Sequence, residues 1–131
     1  MKLYLFSGPS AVSTREAIQA FNQWKSREPG LAGQLVEESN ENIKAFLRAR
    51  GARAAAAALG KARATGIALG DAIGVEARIP VPAGVDPELC KSVGAGNELG
   101  VYVRLPGAPE PPGQSGATGV TVADGFSWQR S

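Results

Sequence analysis

Few side chains in this chain of 131 residues are suited to chemistry. It has no histidine and a single cysteine, Cys90. Imidazole acid–base catalysis, a Ser-His-Asp triad and histidine metal sites are therefore excluded. One thiol cannot build a cysteine zinc cage, and without an imidazole to activate it Cys90 reads as a small buried or surface side chain. The carboxylates Asp71, Glu76, Asp86 and Glu98 fall in the loop- and strand-rich half, but no spacing pairs two of them as acid and base. They read as solvated surface acids. The expectation is a non-enzyme with no catalytic residue, no metal site and no cofactor.

Charge is the next source of chemistry. Fourteen basic and twelve acidic residues leave a formal net charge of +2. Six of the basic ones, Lys44, Arg48, Arg50, Arg53, Lys61 and Arg63, fall in residues 44–63, which hold no acid, so the rest of the chain is net acidic. Such a segment could track a phosphate backbone or meet an acidic protein surface. Two observations count against nucleic acid. Phe46 is the only aromatic residue there and belongs to an apolar stripe, and on a continuous helix Arg50 and Arg53 point about 120–180° away from Lys44 and Arg48.

Residues 5–14, Leu5-Phe6-Ser7-Gly8-Pro9-Ser10-Ala11-Val12-Ser13-Thr14, resemble the strand–loop–helix opening of guanylate-kinase-like nucleotide-binding proteins. A phosphate-cradling loop has four residues after its first glycine and then Gly-Lys-Ser/Thr. This chain has Ser13-Thr14-Arg15 at those places. It lacks both the lysine charge and the second close backbone approach, so no nucleotide site is expected.

These residues need a scaffold, and hydrophobic periodicity predicts one. Leu3–Phe6 is apolar throughout and ends at Gly8-Pro9, which suits a first strand covered on both faces. The apolar run is too short for a signal-peptide core, and no stretch approaches the roughly 18 apolar residues of a membrane span. A capping box, Ser13-Thr14-Arg15-Glu16, opens a helix that places Ala17, Ile18, Phe21 and Trp24 in the core and ends at Pro29-Gly30. A second helix is expected over 33–50, with Leu35, Val36, Ile43, Phe46 and Leu47 within about 120° on one face. An alanine-rich third helix runs from 52 to about 63. Glycines at 66, 70 and 74 argue against helix beyond that point. Residues 75–81 and 99–105 alternate apolar and polar, which predicts two strands able to pair antiparallel across a long connection over 82–98.

Residues 106–119 are rich in glycine and proline, a linker by composition. Beyond it lie a strand-like Val120-Thr121-Val122 and two aromatics, Phe126 and Trp128.

The fold class is therefore α+β: an N-terminal strand, two to three helices packed on a small antiparallel sheet, and an extended Gly/Pro-rich C-terminal arm. Residues 1–105 form the domain and 106–131 the arm. The expected function is a non-catalytic structural or adaptor subunit of a larger assembly, built in the style of small virion components. The arm would associate through Val120, Val122, Phe126 and Trp128, since aromatic anchors carry much of an interface's energy. The expected partners are protein subunits, as a homo-oligomer, with no membrane. The expected location is the cytoplasm, or a particle assembled there, since a lone cysteine offers no disulfide framework. The alternative is a small nucleic-acid-binding or inhibitor protein acting through residues 44–63.

Overall fold

The computed structural model describes residues 2–10, 13–94, 96–105 and 118–121. In chain order the elements are β1 (Lys2–Ser7), α1 (Thr14–Arg27), α2 (Pro29–Arg48), α3 (Ala52–Ile73), a 3-10 turn (Pro87–Leu89), β2 (Cys90–Ser92), β3 (Leu99–Arg104) and β4 (Thr118–Thr121). The sheet order is β2-β3-β1-β4, and every neighbouring pair is antiparallel. Three helices on a small antiparallel sheet give the expected α+β class. Of the expected arm, only residues 118–121 lie among those described.

The sheet carries the densest part of the core. Tyr4 and Tyr102 are directly opposite in register and stack with centroids 4.8 Å apart. Phe6 and Cys90 complete a buried cluster with them, and Ile79 and Val85 pack against it. Cross-strand aromatic pairs of this kind are the unit by which a sheet is stabilised. Only alternate β1 residues are buried: Tyr4 and Phe6 are, while Leu3 and Leu5 are half-buried. The all-apolar run is thus an ordinary two-faced strand, not one covered on both sides.

The capping box forms as read, with the Glu16 amide donating to Ser13 Oγ at 3.2 Å. The helix after it turns differently from the expected stripe. Ala17 and Trp24 are buried, Phe21 is half-buried beside Trp24, and Ile18 is 55% exposed. A single residue, Glu28, joins α1 to α2, capping the first and preceding the second. Pro29 stops α1 and then serves as the first residue of α2, where its missing amide costs nothing.

Three expectations fail in the middle of the chain. First, α3 does not stop near residue 63 but continues to Ile73. Gly70 lies inside it because a Cβ there would run into the Val75 carbonyl oxygen and meet the Ala77 side chain at 2.9 Å. The glycine lets the returning chain lie against the helix, which outweighs its poor helix propensity of about 1 kcal/mol. The helix ends where Gly74 takes the left-handed conformation, φ 76°, one that only glycine adopts readily.

Second, residues 75–81 form no strand. Both edges of β3, the strand expected to pair with them, are occupied by β1 and β2. Their alternation has another cause: Ala77 is buried and Ile79 packs on the aromatic cluster, while Glu76 and Arg78 are exposed. Third, the connection over 82–98 holds an unforeseen strand, β2, preceded by a turn that Asp86 caps through the Glu88 amide at 2.9 Å. Asn97 ties this region to the extended segment by donating to the Arg78 carbonyl at 3.0 Å.

Candidate functional site

The residues with chemical potential are mostly engaged in holding the fold. Asp71 and Glu76 both meet Arg78, Asp71 at 2.9 Å and Glu76 at 3.2 Å. Hydrogen bonding from the Arg78 side chain holds Asp71 below the usual carboxylate range, and the Arg78 backbone amide does the same for Glu76. Both carboxylates are kept ionised, which suits a surface cluster and not a general acid. Asp86 caps the turn, and the Glu98 carbonyl accepts from the Gly8 amide at 2.7 Å. Cys90 is buried, and desolvation raises its thiol above the ordinary value even with Arg63 nearby. Among the described residues no group of three His, Cys, Asp or Glu side chains is arranged to hold a metal. No helix among them is long and apolar enough to cross a membrane.

The basic segment is split by the fold. Arg63 turns inward and donates to the Pro87 carbonyl at 2.7 Å and the Cys90 carbonyl at 3.0 Å, fastening α3 to the turn and β2. Lys44 pairs with Glu41 one turn earlier at 3.2 Å. Arg48, Arg50 and Arg53 are exposed around the α2–α3 connection, and Lys61 is exposed further along α3. The six cations named from the sequence thus do not form one stripe: three flank the connection, two are engaged within the chain and one stands on α3.

Of the arm residues, Val120 lies in β4, opposite Leu3 of this chain's own β1. Val122, Phe126 and Trp128 lie outside the described residues.

A further feature is apolar. Asn42 of α2 is buried and donates to Thr65 of α3 at 2.9 Å, and Leu35 and Phe46 beside it are half-buried. That contact face is rotated from the stripe read in the sequence, because a polar residue stands at its centre. The rotation leaves Val36 (47%), Ile43 (54%) and Leu47 (38%) exposed. They border a groove of about 470 Å³ between the helices, with Phe21 and Leu69 on its other walls and Lys91 at one edge. Burial lowers the Lys91 pKa from its ordinary value. A second hollow of about 350 Å³ continues between α1 and α3, past Ile18, Phe21 and Ile73. Sequence reasoning named Ile18, Phe21, Val36, Ile43 and Leu47 but assigned them to the interior, and it did not single out Leu69 or Ile73. The signal it lacked was the pairing of Asn42 with Thr65.

Compared with protein-family models, with curated proteins and with solved structures, the chain finds no match.

Proposed function

We propose that this chain is a non-catalytic structural or adaptor subunit that works by joining other protein subunits. The observation that carries the reading is the apolar side of the helical layer, where Val36, Ile43 and Leu47 stand exposed along one groove and Ile18 along the hollow that continues from it. Scattered surface apolar residues need no explanation, but a contiguous set along one groove is the usual mark of a binding surface. The C-terminal arm is the second part of the proposal, with Val120, Val122, Phe126 and Trp128 as its anchors. Pairing of β4 with β1 brings the chain back to the sheet before residues 122–131.

The test is the native mass of the full chain, purified and in its source, against a Phe126→Ala/Trp128→Ala variant and an Ile43→Glu variant. An assembly lost in either variant supports the reading and says which surface holds it. A full chain that is monomeric at high concentration and in its source contradicts it.

A further inference from the structure

Helix α2 carries its charges in two blocks. Glu37, Glu38 and Glu41 stand in its middle, and Lys44 and Arg48 follow toward its end. At about 100° per residue, Val36, Asn40, Ile43 and Leu47 fall within about 60° of one another and form one seam. All four are exposed. Their 4-3-4 spacing is that of a coiled-coil contact line with one polar member, the kind of residue that fixes register. Glu37 and Lys44 lie within about 20° of each other, roughly a quarter-turn round from the seam and on the same flank. The opposite flank is the one that meets α3 through Asn42.

When two helices run antiparallel about a twofold axis, like flanks meet. A flank that is acidic at one end and basic at the other is then its own complement. We propose that the exposed face of α2 is the docking site for a second copy of this chain, the two α2 helices packing antiparallel. This rests on the assembly reading above and names its partner. An axis level with the Glu41–Asn42 bond places Val36 opposite Leu47 of the second copy and Asn40 opposite Ile43. Glu37 then lies between Lys44 and Arg48 of the second copy, and symmetry repeats the contact. The Lys44–Glu41 pair within one chain is exposed, so exchanging it for an intermolecular partner costs little. A face of one helix falls at the small end of stable interfaces, which sets the expected dissociation constant in the micromolar range.

The test uses the full chain and two charge variants, one all-basic (Glu37→Lys/Glu41→Lys) and one all-acidic (Lys44→Glu/Arg48→Glu). Sedimentation equilibrium at low salt reads the mass, and thermal melts check that each variant folds. The wild type should dimerise. Each variant alone should dimerise about tenfold or more weakly, because attractive rim contacts become repulsive. An equimolar mixture of the two should form a heterodimer. A folded wild type that stays monomeric at every concentration overturns the proposal, as do charge variants that each dimerise like the wild type, or a mixture that stays monomeric. If the wild type is monomeric alone but its assembly in the source is lost in Phe126→Ala/Trp128→Ala, the assembly reading stands and the α2 pairing is wrong.

Discussion

The sheet and the helical layer hold comparable apolar side chains and use them in opposite ways. Tyr4, Phe6, Cys90 and Tyr102 are each at most 9% exposed, closed in by a loop that carries Ile79 and Val85. Across the helices only Trp24, Leu59 and a few alanines are comparably buried, while Ile18, Leu31, Val36, Ile43 and Leu47 are open. The cause is volume. Alanines on α3 allow close approach but fill little space, so the three helices meet along narrow lines and leave grooves between them. The sheet can therefore account for the stability of the single chain, and the helical layer has surface to spare for contact with another molecule.

Core truncations give the largest test of that difference. Phe6→Ala is expected to cost about 3–5 kcal/mol in a denaturant melt, as a large-to-small change in a closed core does. Phe21→Ala, from a half-buried position, should cost no more than about half of that. Equal losses would break the contrast between the two regions. Next is the fastening between them. Arg63→Ala removes a charged donor from two carbonyls and should cost about 1.5–3 kcal/mol. A loss below about 0.5 kcal/mol would show that α3 holds β2 without it.

On the open side, Ile43→Ser should change the unfolding free energy of the monomer, measured at high dilution, by no more than about 0.5 kcal/mol. A large loss there would mean that the face is interior after all. The smallest effect is expected at the surface ion cluster. Because Asp71 and Glu76 have lowered pKa values in the folded chain, their contribution is complete above the unfolded carboxylate range. It disappears as pH falls through the folded values. Arg78→Ala should therefore lower stability slightly at neutral pH and leave the acid end unchanged, so that the acid limb between them is flatter. An identical acid limb in the variant would exclude the cluster as its source.

Much of this architecture is legible in the residues. Ser13 and Glu16 announce the start of α1, Pro29 marks the break before α2, and the alternation over 99–105 is a strand. What escaped has a physical cause in each instance. Gly70 looks like a helix breaker until the chain it admits, Val75 to Ala77, is seen against it. Residues 75–81 alternate like a strand, but alternation reports two unlike faces and not a ladder. A half-buried Ile79 beside an exposed Arg78 satisfies the same pattern. Cys90–Ser92 is too short to show any period. For the candidate site, the apolar residues of α2 are plain in the sequence, but which of them face inward depends on Thr65, more than twenty residues away. The inward role of Arg63 is likewise hidden in the basic segment until the residue is seen turned toward Pro87 and Cys90.

The most direct test of the account is the solution mass of the intact wild-type chain beside Ile43→Glu, at matched concentrations in the micromolar range and above. A single chain has a mass of 13.5 kDa. The expected result is a wild type that rises toward twice that mass with concentration, and a folded variant that stays at one chain. A wild type fixed at the mass of one chain, or a variant that doubles as readily as the wild type, would contradict the claim that the open face of the helices is where this protein meets its partner.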